Sequence, residues 1–191
     1  DRVLFFNFLI KFLTDEKAKL KNSYCKETGL SQQRFTTEFN RTINTINEFK
    51  KLIDKPSWEE ISSHIDSSSN TRIDKRRIAI GPVLVFGASN FALAYSTAGG
   101  DTIAAMASGC PVIIKSHPFH AGTSYLVAKA IIKANKMSNL PEGFFSHLQD
   151  DSYHVAQNLI ASEKIKAISF TGSLKGGKSV FDLAMKRKTP I

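Results

Sequence analysis

The chain has 191 residues, of which 42% are hydrophobic, 10% aromatic and 23% charged; this ordinary globular composition excludes disorder, collagen and coiled coil as descriptions of the whole. The formal net charge of +9 is spread along the chain, and its densest clusters, Lys75-Arg76-Arg77 and Lys186-Arg187-Lys188, are three residues each; without a basic arm, no nucleic-acid partner is expected. No apolar run reaches the roughly 18 to 20 residues of a membrane span, and Cys25 and Cys110 form neither a disulfide framework nor a metal pattern, so a cytoplasmic, reduced protein without membrane attachment or metal is expected.

In chain order, Leu4, Phe5, Phe8, Leu9, Phe12 and Leu13 recur at helical spacing and predict an amphipathic helix over 2–20. Phe35, Phe39, Ile43, Ile46, Phe49 and Leu52 predict a second over 32–53, with Gly29 as a stop between them and Pro56 ending the second. Residues 57–80, with the turn cluster Ser67-Ser68-Ser69-Asn70, read as a β-hairpin. From Gly81 onward short apolar runs alternate with helical patterns. Strands are expected at 82–86, 111–115, 144–148 and 167–170, and helices at 92–107, 120–135, 153–161 and from 176 to 185.

Strands that are continuously apolar are buried on both faces, and strands alternating with helices form parallel sheets. The expectation is an α/β fold: an incomplete, doubly wound, Rossmann-like parallel sheet with helices on both faces. A helical segment over 1–56 and a hairpin over 57–80 precede a nucleotide-binding domain over 81–191. Ligands of such sheets sit at the carboxyl ends of the strands. The loops to watch are therefore 87–91, 116–122, 149–152 and 171–177.

Neither G-x-G-x-x-G nor a P-loop is present. The loop Thr171-Gly172-Ser173-Leu174-Lys175-Gly176-Gly177 is glycine-rich and opens a helix. Such a loop can cradle phosphate on its amides, or be a plain tight turn. In Gly87-Ala88-Ser89-Asn90-Phe91, the Asn90 amide could stabilise an oxyanion; Ser89 and Asn90 could equally cap a helix. Lys115 ends a strand in the same crevice and could bond ribose hydroxyls or be a surface lysine. His117 and His120, around Pro118, read as polar lining.

Taken together, the stretch from Gly81 to Ser124 (GPVLVFGASNFALAYSTAGGDTIAAMASGCPVIIKSHPFHAGTS) and AISFTGSLKGG from Ala167 resemble the aldehyde dehydrogenase superfamily. The resemblance is nearest to the branch of α-ketoglutaric semialdehyde (2,5-dioxopentanoate) and NADP-dependent fatty aldehyde dehydrogenases. It implies oxidation of an aldehyde to a carboxylic acid with NADP or NAD as cofactor. It makes Asn90 the oxyanion-binding catalytic residue and Lys115 the holder of the adenosine ribose. It puts Phe86, Ala88 and Ser89 on the nicotinamide side, with His117 and Pro118 following the lysine. It assigns Gly172, Ser173 and Gly177 to the cofactor's phosphates.

Three departures stand out. Ala92 replaces a common proline. Pro118 stands where many NAD-using members have a glutamate for the ribose, which favours NADP, although Asp150 and Asp151 lie near the adenosine end. The catalytic cysteine and glutamate of the family fall beyond Ile191, and neither Cys25 nor Cys110 replaces the former. The resemblance thus implies the amino-terminal part of a homodimeric or homotetrameric enzyme, inactive alone, with the hairpin over 57–80 used in its oligomer contacts. A non-catalytic nucleotide- or partner-binding module is the alternative.

Overall fold

A computed structural model describes residues 2–59 and 61–187; the basic cluster's last residue, Lys188, lies outside them. The chain opens with α1 (Arg2–Asp15), α2 (Lys17–Thr28) and α3 (Gln32–Ile53). The helix expected over 2–20 is therefore two. Between the apolar stripe of Phe5, Phe6, Leu9, Phe12 and Leu13 and its continuation in buried Leu20 and Tyr24, Glu16 leaves helical geometry at φ −93°, ψ 8°. Helix α2 runs to Thr28, directly before the expected stop at Gly29. Gly29 then ends it at φ 69°, its amide bonded to the Cys25 carbonyl, a left-handed cap that glycine adopts without strain. Ser31 starts α3 by accepting a hydrogen bond from the Arg34 amide at 3.2 Å.

The hairpin is present as β1 (Ser62–Asp66) and β2 (Thr71–Lys75), antiparallel with Ser62 opposite Lys75. Its turn is held by Asp66, whose carboxylate accepts from the Ser68 amide and from the Ser68 and Ser69 hydroxyls.

The remaining strands are β3 (Val83–Phe86), β4 (Val112–Lys115), β5 (Phe145–Leu148) and β6 (Ala167–Phe170). They form one parallel sheet in the order β5-β4-β3-β6, with Phe86 opposite both Lys115 and Phe170. Side chains alternate along β3. Val83 and Val85 enter the large core that the sheet shares with α1, α2 and α3; Leu84 and Phe86 enter a smaller core on the other face. Helices α4 (Gly100–Ala107) and α5 (Ala121–Met137) lie in the first core, α6 (His154–Ala161) and α7 (Leu174–Ala184) in the second. The sheet thus has helices on both faces, as expected of an α/β doubly wound arrangement.

One expected helix is shorter than its sequence pattern. The span 92–107 is helical only from Gly100, and 92–99 is a compact turn. Alanine favours helix, but a tertiary contact overrides it. The buried carboxylate of Glu38, 2% exposed, accepts from the amides of Leu93 at 3.2 Å and Ala94 at 3.4 Å. Gly99 is required where the turn folds on itself, since a Cβ there would lie 2.7 Å from the Ser96 nitrogen and 2.8 Å from the Tyr95 Cα.

No helix of the described residues is long and apolar enough to cross a membrane.

Candidate functional site

The parallel sheet brings Phe86, Lys115 and Phe170 to one level at its carboxyl edge. Above that edge, between α6 and α7, is a crevice of about 540 Å³. Phe86, Lys115, Ser173, Lys175 and Gly176 line it, with Tyr153 and Gln157 on the α6 side. Its floor is aromatic: the Phe86 and Phe170 rings lie 5.9 Å apart. Its charged lining residues are both cationic, Lys115 and Lys175; among the described residues no carboxylate lines it.

Each of these groups is positioned by its neighbours. Lys115 donates from Nζ to the Asp150 carbonyl at 2.7 Å, which fixes the ammonium at the strand end. The Asp150 carboxylate turns instead to Ser152, accepting from its amide at 3.1 Å and its hydroxyl at 2.8 Å. That amide, then the hydroxyl, hold the Asp150 carboxyl below its ordinary range.

Ser173 caps α7 and accepts from the Gly176 amide at 3.1 Å; its own hydroxyl proton remains available to a ligand. The glycines of this loop carry a packing reason that motif reading did not supply. A Cβ on Gly172 or Gly176 would lie 2.8 Å from the Phe170 ring, whereas one on Gly177 would lie at 3.5 Å, an ordinary contact. Thr171 donates to Asp101 at 3.2 Å and ties the loop to α4.

The loop after β3 carries Ala88, Ser89 and Asn90. Ala88 is buried, and its backbone is engaged on both sides. Its amide donates to the Tyr95 carbonyl at 2.9 Å, and its carbonyl accepts from His120 Nε2 at 2.8 Å. The other His120 nitrogen pairs with Ser124 at 2.9 Å, and the ring is fully buried. The expectation of His120 as polar lining is thus corrected: it is an internal brace of the β3 loop.

Ser89 and Asn90 are exposed, and the Asn90 amide makes no hydrogen bond to any described residue. Helix capping, the alternative raised from sequence, does not apply, because α4 starts ten residues later at Gly100. The Asn90 amide therefore faces a cavity of about 510 Å³ with two unmatched donors. This cavity is separate from the crevice that Lys115 and Ser173 line.

His117 accepts at Nδ1 from the Phe119 amide at 3.2 Å and packs edge-on to the Phe119 ring. Burial first, then the neighbouring His120 and Lys115, lower its pKa. His117 and Pro118 form the turn beside Lys115 but line neither cavity. Cys110 is buried just before β4 and Cys25 is half-buried on α2; neither lines the cavity that Asn90 faces.

Two carboxylates with no motif hold this region together. Besides the amides of 93–94, Glu38 accepts from the Tyr24 hydroxyl at 2.6 Å and from Arg34 Nε at 3.1 Å. Glu27 reaches from α2 to the first turn of α5, accepting from the amides of Gly122 at 2.6 Å and Thr123 at 2.8 Å and from the Thr123 hydroxyl. The only sequence signal for Glu38 is a carboxylate placed between Phe35, Phe39 and Thr42 on the buried face of α3.

Both the sequence and the fold have relatives among known proteins. The sequence matches the aldehyde dehydrogenase family over residues 1–191. It is 41% identical over 181 residues to an alpha-ketoglutaric semialdehyde dehydrogenase of Acinetobacter baylyi, covering 91% of this chain and 34% of that protein. It is 38% identical over 172 residues to alpha-ketoglutaric semialdehyde dehydrogenase 2 of Azospirillum brasilense, covering 86% and 32%. The chain thus spans about a third of the length of these relatives.

In fold it is similar to succinate-semialdehyde dehydrogenase from Burkholderia pseudomallei, with TM-score 0.85 and 18% identity, covering 98% of this chain and 37% of that one. It is also similar to salicylaldehyde dehydrogenase from Pseudomonas putida G7, with TM-score 0.84 and 20% identity, covering 97% and 37%. With a family match along its whole length and a fold shared with these enzymes, the chain belongs to the aldehyde dehydrogenase family.

Proposed function

We propose that this chain is the cofactor-binding and oxyanion-binding part of an enzyme that oxidises an aldehyde to a carboxylic acid with NADP or NAD. The observation that carries the reading is Asn90, an exposed amide without a hydrogen-bond partner, held on a braced loop at the carboxyl end of the central strand. An unmatched amide there suits charge that develops only during the reaction. The substrate is 2,5-dioxopentanoate, that is α-ketoglutaric semialdehyde, or an aliphatic aldehyde, by similarity to the two relatives at 41% and 38% identity.

The residues fit a dinucleotide. Phe86 would lie under it, with Ala88 and Ser89 toward the nicotinamide. Lys115, with the His117-Pro118 turn beside it, would meet the ribose. Gly172, Ser173 and Gly177 would approach the phosphates at the α7 amino terminus, where amide dipoles favour anions. The bound cofactor supplies a hydride acceptor. Asn90 donates from its side-chain amide to the substrate oxygen as that oxygen becomes negative. The nucleophile and the base come from outside the 191 residues, so the chain alone does not turn over.

NADP is preferred over NAD in this reading. Both charged residues lining the crevice are cations, the Asp150 carboxylate is turned to Ser152, and Pro118 brings no carboxylate. The protein is proposed to be cytoplasmic and a homodimer or homotetramer whose subunits meet through the β1–β2 hairpin.

The test is turnover of 2,5-dioxopentanoate by the complete gene product with each cofactor. The expected result is NADPH production at higher kcat/KM than NADH. Asn90→Ala should lower kcat by about 100- to 1000-fold, the usual loss of one oxyanion donor. A variant within about fivefold of wild type, or aldehyde-dependent turnover by the 191-residue chain alone, contradicts the reading.

A further inference from the structure

The cavity that Asn90 faces contains a cation that the reaction itself does not require. Arg34, from α3, lines it together with Ser89, Asn90, Leu30 and Phe119. The guanidinium is held on two sides. Its Nε donates to Glu38 at 3.1 Å, and its carbon lies 4.3 Å from the centre of the Phe91 ring, the residue next to Asn90. Glu38 is itself fixed by Tyr24 and by the amides of Leu93 and Ala94. Glu38 and Tyr24 thus engage one edge of the guanidinium, and the rest of its five donors remain for a ligand.

The Arg34 side chain is 40% exposed. It is the only cation among the described residues lining this cavity. Glu27 also lines it, but its carboxylate is turned onto Gly122, Thr123 and Ser23. A guanidinium fixed by stacking and one hydrogen bond loses little freedom on meeting a carboxylate, and binds it through two parallel N–H donors. The volume of about 510 Å³ is within the usual range for small-ligand sites.

We propose that Arg34 binds a terminal carboxylate of the aldehyde substrate while Asn90 receives its carbonyl oxygen, so that the enzyme selects aldehydes with an anionic far end. This rests on the reading of Asn90 as the oxyanion donor and deepens it by assigning the substrate class to a residue.

The test compares two aldehydes of equal chain length, 5-oxopentanoate and pentanal, on the complete gene product. The readout is the ratio of their kcat/KM values. In Arg34→Gln that ratio should fall about 10- to 100-fold, the range for a charge-assisted hydrogen bond, with the loss in KM for 5-oxopentanoate. Arg34→Lys keeps a cation beside Glu38 but not the planar fork, and should lose about three- to tenfold. A ratio within twofold of wild type in both variants overturns the proposal.

A second readout needs no turnover: calorimetric titration with glutarate, an unreactive dicarboxylate. Wild type should bind it, with Arg34→Gln at least tenfold weaker. If Arg34→Gln fails to fold, Arg34→Lys carries the same comparison with at least threefold weaker binding. Equal glutarate binding by wild type and a folded variant overturns the proposal. Failure of wild type to oxidise either aldehyde defeats the functional reading instead, and the glutarate titration still decides the role of Arg34.

Discussion

At the scale of single residues, the region around Asn90 is held by carboxylates that form cross-chain hydrogen bonds. Glu27 shows the balance of effects. Burial penalises its charge, but the Thr123 hydroxyl and amide, the Gly122 amide and Ser23 outweigh this, and the pKa falls below its ordinary 4.5. The sign follows. A carboxyl with a lowered folded-state pKa contributes stability above its unfolded pKa, and loses that contribution as pH falls through the folded value. Glu27→Gln should therefore destabilise the protein by about 0.5–1.5 kcal/mol at pH 7, the net range for a hydrogen bond that is only partly buried. The difference from wild type should shrink below pH 4.5. Urea unfolding of both proteins from pH 7 to pH 3 checks this; a gap that does not change with pH would contradict it.

The residue scale is also where sequence is least legible. Asn90 was open to two roles until the position of α4 removed helix capping. Arg34 and Glu38 carry no motif, because what makes them significant is contact with residues 55 or more positions away. His120 sits in a run that reads as polar lining, yet the Ala88 carbonyl claims its ring.

At the scale of elements, the parallel strands were legible because each is a short apolar run, and a strand buried on both faces needs little else. The helix over 92–107 was not, since alanines favour helix locally while Glu38 and Gly99 impose a turn. The bend at Glu16 was hidden because buried Leu20 and Tyr24 continue the apolar stripe beyond it.

The loop before α7 carries a sharp prediction. Gly176→Ala pushes a Cβ to 2.8 Å of the Phe170 ring on the crevice floor, whereas Gly177→Ala meets it at 3.5 Å. The first should lower the melting temperature and weaken dinucleotide binding; the second should leave stability close to wild type. Thermal unfolding and NADPH fluorescence titration check the pair, and equal effects would contradict the packing argument.

The hairpin makes a different case. By its register, Ile65 and Ile73 fall on opposite faces of the ribbon, and both are exposed. Two strands alone are marginal in water, which supports the proposed use of this ribbon between subunits. Ile65→Lys with Ile73→Lys should shift the complete gene product to a smaller assembly in light scattering. An unchanged mass would contradict that role.

At the scale of the whole molecule, the amino-terminal helices and the sheet share one apolar core, and that packing sets the two cavities at one edge. Helix α3 approaches the β3 loop from one side, through Glu38 and Arg34. Helices α6 and α7 close the crevice from the other. The proposed division of labour uses both: a cationic crevice with an aromatic floor for an anionic cofactor, and a separate cavity with Asn90 and Arg34 for the aldehyde.

The crevice between α6 and α7, lined by Phe86, Lys115, Ser173 and Lys175, is central to the account as the proposed dinucleotide site. Calorimetric titration of the folded 191-residue chain with NADP tests this most directly. One equivalent should bind, with Lys115→Ala at least about tenfold weaker through loss of a charge-assisted hydrogen bond. Absence of binding at millimolar NADP, or unchanged affinity in Lys115→Ala, would contradict the account.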